Sequence, residues 1–266
     1  MRKRSGFTLI ELLMVISIIV LLVAILLPTL KRIKQHTKSA ACQSNLRQWG
    51  SIFQSYVQRN DGKFLKGRGW GWMYQLDNEH KDRHKMRIWF CPSADKPLYD
   101  ENRNRTRESN VYSAWGIYQG QEYEPTGMAG SYGLNGYSLD QRPGFIFEGG
   151  RDTTNNWRIP NVEGADSVPL FIDALRFDLW PLASDGPPKD ADMPWQALNH
   201  MTRCCIDRHN ASVNCLFMDW SVRKVGLKEL WTLKWHRKFN VNGPWTKAGG
   251  VQPSDWPEWM RRFKDY

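Results

Sequence analysis

The sequence lacks the local patterns by which several enzyme classes are recognised. It contains no nucleophile motif, no pair of carboxylates at a recognisable spacing and no glycine-rich phosphate loop. Internal repeats and low-complexity tracts are also missing. The sequence therefore offers no reason to expect catalysis, and it predicts neither a catalytic residue nor a cofactor.

Acidic residues are scarce near the N-terminus, where an unbroken apolar run occupies residues 7–27. Glu11 is its one carboxylate, and Thr8 and Ser17 are its only other polar side chains. The run has 21 residues, or about 31 Å of helix at a rise of about 1.5 Å per residue, which is enough to span a bilayer core. A charge inside a membrane helix costs roughly 2.5–3.5 kcal/mol. We therefore expect Glu11 to have a specific role.

Two simpler interpretations of this run explain it only in part. A secretory signal peptide has an apolar core of about 7–15 residues that ends at a small-residue cleavage site. Here the run is longer, and Lys31, Arg32 and Lys34 follow it instead of such a site. A plain signal anchor fits the length but leaves Glu11 unexplained.

The segment RSGFTLIELL resembles the processing and methylation site of type IV prepilins and type II secretion pseudopilins. The resemblance implies that a prepilin peptidase and N-methyltransferase cuts after Gly6 and methylates the new amino terminus of Phe7. It also implies that Glu11 pairs with the Phe7 amine of a neighbouring pilin or pseudopilin subunit in a filament. A buried carboxylate is costly alone and much cheaper when paired. The competing interpretation is a Glu11 that reaches the membrane interface by snorkelling.

The resemblance also implies how the chain is divided and where it lies. The expected parts are a cleaved leader, a transmembrane or filament-core helix, an amphipathic continuation of that helix and a head domain, at residues 1–6, 7–30, 31–60 and 61–266. The helix would cross the bacterial inner membrane once, with the leader in the cytoplasm and the head in the periplasm or outside the cell. Removal of the three basic residues of the leader lowers the net charge from +10 to +7.

The helix is expected to continue past Pro28, because a proline inside a helix removes one hydrogen bond without always ending it. Beyond it, Leu30, Ile33, Thr37 and Ala41 are spaced for one face. The pattern continues at spacings of four, three, four and three; the residues are Cys42, Leu46, Trp49, Phe53 and Tyr56. The sequence Asn60-Asp61-Gly62 then ends the helix. The sequence and the resemblance together predict an α+β fold in which this long helix packs its apolar stripe under an antiparallel-sheet head.

A hairpin is predicted near the C-terminus, with strands at 213–218 and 222–225. The segment resembles the H-x9-D-G motif of large pilin-like proteins common in planctomycetes and verrucomicrobia, with His209 and Asp219 at the matching spacing. Trp220 replaces the glycine of the motif, and a bulky residue resists the positive φ of a tight Asp-Gly turn, so we expect a longer loop. Apolar spacing further predicts short helices at 227–234 and 254–263.

His209 and Asp219 invite a catalytic interpretation, which the geometry of a strand argues against. Along an extended chain at about 3.3 Å per residue they are about 30 Å apart. We therefore favour a histidine that fixes the start of the strand and an aspartate that shapes the turn.

Five cysteines occur, at positions 42, 91, 204, 205 and 215. Disulfides are plausible in a domain outside the cytoplasm. A bridge between Cys42 and Cys91 would tie the helix to the head, and Cys215 could pair with Cys204 or Cys205. Because the number is odd, one thiol is left over, and the sequence does not fix the pairing.

Metal binding is not predicted, although potential ligands crowd residues 200–215: His200, Cys204, Cys205, Asp207, His209 and Cys215. Their spacing fits no structural zinc pattern. Asp185, Asp190 and Asp192 form an acidic loop that lacks a calcium-loop motif.

Tryptophan is abundant, with fourteen residues. Buried tryptophans would fill a core built largely from loops, and this is the interpretation we favour. Exposed tryptophans would instead stack on sugars. The sequence thus predicts a filament subunit, with the alternative of a membrane-anchored module that binds a polysaccharide or a cell-surface partner.

Overall fold

The structure is a computed structural model that describes residues 9–67, 71–79, 87–98, 104, 110–116, 129–147, 149–194 and 196–266. The chain divides into two compact units, Met1–Lys38 and Ser39–Tyr266. Gly6 and Phe7, the predicted processing residues, lie outside the described residues.

The long N-terminal helix, α1, runs over Leu9–Arg59 and contains Pro28. It ends where the sequence predicts, before the Asn60-Asp61-Gly62 stop. In the first unit its large apolar side chains are exposed from Leu9 to Ile33. Its length and composition suit a membrane crossing.

In the second unit α1 buries one face, formed by Ser39, Cys42, Leu46, Trp49, Gly50, Phe53, Tyr56 and Val57. This face contains the predicted stripe from Cys42 to Tyr56, so the amphipathic pattern is confirmed there, whereas Leu30, Ile33, Thr37 and Ala41 are exposed. Trp49 packs at its centre, with its ring centroid 4.5 Å from that of Trp89 and 5.1 Å from that of Phe171.

The head contains a five-stranded sheet in the order β7-β3-β6-β8-β9. Its strands are β3 (Tyr132–Asn135), β6 (Pro169–Asp173), β7 (Asp178–Leu179), β8 (Ser212–Phe217) and β9 (Val222–Gly226). The pairs β3–β6, β6–β8 and β8–β9 are antiparallel, but β7 is parallel to β3. The sheet is therefore mixed at one edge, because the chain reverses after β6 and then runs along the far side of β3.

Smaller elements complete the described part of the head. A second helix, α2, spans Gly71–Glu79. Strands β1 (Lys96–Pro97) and β2 (Ser113–Ala114) pair in parallel, and β4 (Ile146–Phe147) and β5 (Arg151–Asp152) pair antiparallel.

The main sheet is the middle of three layers. Side chains of a strand alternate between its two faces. On β8, Leu216 lies in the same core cluster as Trp49 of α1, whereas Val213 and Phe217 lie in a second cluster with Trp231. Every residue of β8 is buried. The sheet is thus covered by α1 on one face and by the C-terminal segment on the other.

The C-terminal layer differs from the sequence-based expectation. Instead of two α-helices it contains short 3₁₀ turns at Lys228–Thr232, Pro253–Asp255 and Glu258–Met260. Pro253 and Pro257 contribute to this outcome, since proline donates no backbone hydrogen bond and disrupts a continuous helix.

Tryptophans fill this loop-rich core. Nine of them are buried: Trp49, Trp72, Trp89, Trp115, Trp157, Trp180, Trp231, Trp235 and Trp256. Some of their indole N–H groups also bind loop carbonyls; Trp231 donates to Asp185 O at 2.7 Å and Trp235 donates to Leu230 O at 2.8 Å. Trp70 and Trp195 lie outside the described residues. For these nine residues, the predicted core role is confirmed.

Candidate functional site

Glu11, the residue predicted to act in assembly, lies in the first turn of α1 as the structure describes it. The N-terminus of a helix carries partial positive charge, which favours a carboxylate there. The local structure is therefore compatible with a charged Glu11 near the start of the helix.

A second candidate site lies inside the head, where Cys42, Cys91, Asp173 and His209 form what we call the buried cluster. Cys42 comes from α1, Asp173 ends β6 and His209 precedes β8. Cys91 follows a 3₁₀ turn at Arg87–Trp89. All four side chains are buried, and their potential ligand atoms lie within 4.8 Å of one another.

Short contacts join the members of the buried cluster. His209 Nε2 is 3.2 Å from Cys91 Sγ and 3.1 Å from Asp173 Oδ2. Cys42 Sγ is 3.6 Å from each carboxylate oxygen of Asp173. The carboxylate therefore contacts both the histidine and one of the two thiols.

A shell of hydrogen-bond donors surrounds the buried cluster. Arg208 Nη1 donates to Asp173 Oδ1 at 3.2 Å, and the backbone N–H of Asn214 donates to Asp173 Oδ2 at 2.8 Å. The Tyr132 hydroxyl donates to Cys42 Sγ at 3.2 Å. These contacts fix the orientation of the carboxylate and of one thiol.

The charged groups of the cluster stabilise one another. Burial alone would raise the pKa of Asp173, but the charge of His209 and its hydrogen bond lower that pKa to about 2. Burial alone would likewise lower the pKa of His209, and Asp173 instead raises it to about 9. The head thus encloses a paired acid and base, as a buried charge requires.

The two thiols of the cluster differ. Burial raises the pKa of Cys42 well above its ordinary value. Burial also acts to raise the pKa of Cys91, but hydrogen bonds with Cys42 and His209 lower it to about 7. Cys91 is therefore the more readily ionised thiol.

The arrangement does not match a cysteine–histidine–aspartate relay. Such a relay uses one ring nitrogen of the histidine for the nucleophile and the other for the carboxylate. Here Nε2 of His209 faces both Cys91 and Asp173. A catalytic thiol must also reach its substrate, and Cys91 is fully buried. The cluster is suited to holding a metal ion or to forming a cross-link.

The predicted motif pair His209 and Asp219 flanks β8 and is not brought together. His209 is buried, while Asp219 is exposed in the turn and its Oδ1 accepts from Ser221 N and Ser221 Oγ at 2.9 and 2.6 Å. The loop of the hairpin spans residues 218–221, and Trp220 adopts a φ of 70°. The loop is therefore longer than a tight Asp-Gly turn, and the backbone of Trp220 still adopts a left-handed conformation.

All five cysteines are free and buried in the structure. Cys42 and Cys91 meet in the buried cluster, whereas Cys204, Cys205 and Cys215 belong to the second core cluster. The disulfides therefore stay predictions, of which Cys42–Cys91 has its two sulfurs close together.

Two other residues considered for metal binding, His200 and Asp185, have structural partners. His200 Nδ1 accepts from the backbone N–H of Trp180 at 3.0 Å, and Asp185 pairs with Arg151 at 3.0 Å. Of the candidates at 200–215, His209 is the one that joins the buried cluster. Sequence reasoning missed Asp173 as a site residue. The one sequence feature that points to Asp173 is its position directly after an apolar strand.

Comparison with known proteins gives one match. Residues 1–27 match a family model described as the prokaryotic N-terminal methylation motif. No curated protein and no solved structure matches the chain. The matched segment supports a prepilin-type precursor, a structural substrate of N-terminal processing with a single-pass membrane anchor. It covers 27 of the 266 residues and leaves the head without a matched relative.

Proposed function

We propose that the chain is a prepilin-like structural subunit that is cleaved after Gly6, N-methylated at Phe7 and assembled into a type IV pilus or a type II secretion pseudopilus. The observation that carries the proposal is the methylation motif at residues 1–27, joined directly to a helix long and apolar enough to span a membrane. The exposed apolar surface of that helix supports it, because such a surface needs lipid or other protein around it.

Glu11 has the central part in the proposed assembly. Cleavage creates an α-amine on Phe7 with an ordinary pKa near 7.7–8.0, which is mostly cationic at neutral pH. A carboxylate moving from lipid into a filament core is stabilised when it pairs with that amine on a neighbouring subunit. Only one axial stagger satisfies the pair, so Glu11 would fix the register of the filament.

The proposed partners follow from this pathway. They are the prepilin peptidase and N-methyltransferase, other pilin or pseudopilin subunits, and the inner membrane, into which the precursor is inserted before assembly. The leader at 1–6 would face the cytoplasm, and the head at 61–266 would lie in the periplasm or outside the cell. His209 and Asp219 would belong to the H-x9-D-G-like element of the head.

The alternative, a membrane-anchored module for a polysaccharide or surface partner, rests on tryptophans that stack on sugars. Of the twelve tryptophans that the structure describes, nine are buried, and Trp220, Trp245 and Trp259 are partly buried against the core of the head. These positions give the alternative less support than the methylation motif gives to the filament subunit.

The test is the variant Glu11→Ala in the native bacterium. We expect normal cleavage after Gly6 and normal membrane insertion, but loss of the protein from filaments released by shearing. Mass spectrometry of the mature N-terminus reports methyl-Phe7, and immunoblots of membrane and sheared fractions report insertion and assembly.

Ser17→Ala is the matched control, because it also removes a polar side chain from the apolar run. It should be processed and assembled like the unaltered protein. Normal incorporation of Glu11→Ala into filaments would overturn the role of Glu11, and an unprocessed N-terminus in the unaltered protein would overturn the whole proposal.

A further inference from the structure

We propose that the buried cluster binds one structural zinc ion, held by the sulfurs of two cysteines, one histidine nitrogen and one carboxylate oxygen. This inference concerns the head alone and does not depend on filament assembly.

The distances within the cluster suit tetrahedral zinc. With Zn–S distances of about 2.3 Å and Zn–N or Zn–O distances of about 2.0–2.1 Å, the edges of the ligand tetrahedron measure about 3.3–3.8 Å. The contacts of His209 Nε2 with Cys91 Sγ and Asp173 Oδ2 are 3.2 and 3.1 Å, and Cys42 Sγ lies 3.6 Å from the carboxylate. These three contacts are close to the edges of such a tetrahedron, and all four potential ligand atoms lie within 4.8 Å of one another.

The direction of the histidine nitrogen supports a central ion. Nε2 carries at most one proton, yet it faces Cys91 Sγ and Asp173 Oδ2 at nearly equal distances. One N–H cannot point well at both acceptors. A metal bound to Nε2 would be a common neighbour for both groups.

Charge balance favours a divalent cation. Two thiolates, one carboxylate and Zn²⁺ carry a net charge of −1, and neutral His209 adds nothing. The guanidinium of Arg208, which contacts Asp173 at 3.2 Å, brings the total to zero. A neutral assembly is what a buried site requires, since an uncompensated buried charge is expensive.

The surroundings resemble the outer shell of a metal centre. Such shells orient the ligands through hydrogen bonds. Here Tyr132 donates to Cys42 Sγ, and Arg208 and the Asn214 N–H hold the two oxygens of Asp173. Because all four ligands are buried, the site would be closed to substrate and would act structurally. The ion would join α1 to β6 and to the start of β8.

A disulfide between Cys42 and Cys91 is the competing use of the two thiols. It accounts for the sulfurs but gives no role to the histidine and carboxylate packed against them. A zinc ion uses all four groups, and its mixed sulfur, nitrogen and oxygen ligands are ones that zinc accepts.

The experiment measures zinc in the full-length chain, purified in detergent without chelator. Inductively coupled plasma mass spectrometry should find about one zinc ion per chain. Cys91→Ser and His209→Ala should lose stoichiometric zinc. Cys205→Ser should keep it, because Cys205 is also a buried thiol but lies outside the cluster.

A second measurement uses the unaltered protein, so that misfolding of a variant cannot obscure the result. Replacement of zinc by Co²⁺ should give the visible bands of a tetrahedral ion and a thiolate-to-cobalt charge-transfer band. Zinc added in large excess over its Kd to chelator-treated protein should raise the thermal midpoint by about 5–10 °C.

Three outcomes would overturn the proposal. The first is a zinc content far below one ion per chain after the protein has been loaded with zinc and washed. The second is a Cys42–Cys91 disulfide as the main species in protein isolated from cell envelopes with thiols blocked. The third is equal zinc loss from Cys205→Ser and from Cys91→Ser.

Discussion

Trp220 occupies a backbone conformation that strongly favours glycine. Its φ is 70°, and it lies in the loop between β8 and β9, where its N–H donates to Phe217 O at 3.0 Å. A residue in this left-handed position costs roughly 1–2 kcal/mol unless it is glycine. Its indole ring packs partly against the first core cluster and lies 6.3 Å from the ring of Phe64. Packing therefore offsets a local strain.

The strain can be separated from the packing by comparing two truncations at Trp220. Trp220→Ala and Trp220→Gly both remove the indole, but only glycine also relieves the left-handed strain. We expect the glycine variant to exceed the alanine variant by about 1 kcal/mol in free energy of unfolding. Urea unfolding followed by circular dichroism measures the difference; equal stabilities would contradict the strain argument.

His236 gives the head a predicted sensitivity to acid. It is buried against Tyr137 and Phe239, and burial lowers its pKa from 6.5 to about 4. The unfolded chain binds this proton at a higher pH than the folded chain does. Protonation therefore favours unfolding. The free energy of unfolding that neutral His236 contributes is lost as the pH falls from 6.5 to 4.

His236→Asn should remove this part of the acid sensitivity. The asparagine oxygen can replace Nδ1 as the acceptor of the Lys238 N–H. Between pH 7 and pH 4, the free energy of unfolding should fall in both proteins. The fall should be smaller in the variant by up to about 3 kcal/mol. Urea titrations at several pH values test this, and parallel pH profiles of the two proteins would show that His236 titrates normally.

At the scale of elements, α1 contributes a buried face to the head as well as a membrane segment. Trp49 is fully buried in that face, and its indole N–H donates to Ile88 O at 2.8 Å. The same helix supplies Cys42 to the buried cluster. The second half of α1 is therefore part of the core of the head.

Removal of the Trp49 side chain tests this role. Trp49→Ala should lower the free energy of unfolding by about 3–5 kcal/mol, because it creates a large cavity and loses a hydrogen bond. Arg47→Ala, on the exposed side of the same helix, should stay within about 0.5 kcal/mol of the unaltered protein. Similar losses in the two variants would argue against a buried face centred on Trp49.

At the scale of the whole molecule, the boundary between the two compact units lies inside α1, after Lys38. The core clusters of the head begin at Cys42 and extend to Met260. The apolar surface of residues 9–33 lies before this boundary. The first part of α1 therefore belongs to the membrane segment, and its second part belongs to the folded head.

Two truncations test this division. A chain that starts at Ser39 should be soluble without detergent and keep a cooperative thermal transition, because it retains the whole buried face of α1. A chain that starts at residue 60 should fail to fold, because it lacks Leu46, Trp49 and Phe53. Circular dichroism melting curves distinguish them, and a cooperative transition in the shorter chain would contradict the division.

The sequence by itself determined the features encoded by local periodicity. The apolar run, the methylation motif, the helix end at Arg59, the apolar stripe and the hairpin of β8 and β9 all follow from residues close in sequence. The two C-terminal helices were predicted wrongly, and Pro253 and Pro257 interrupt the helical spacing of the last segment. The local sequence also does not predict the parallel pairing of β7 with β3, because this pairing depends on where the chain returns after β6.

Only the tertiary structure decided which residues meet inside the head. The members of the buried cluster come from positions 42, 91, 173 and 209, and each is supplied by a different part of the fold. No local spacing encodes such a group, because its geometry depends on how α1, β6 and the start of β8 pack together. The methylation motif is thus encoded in a continuous N-terminal segment, whereas the buried cluster of the head exists only once the layers are assembled.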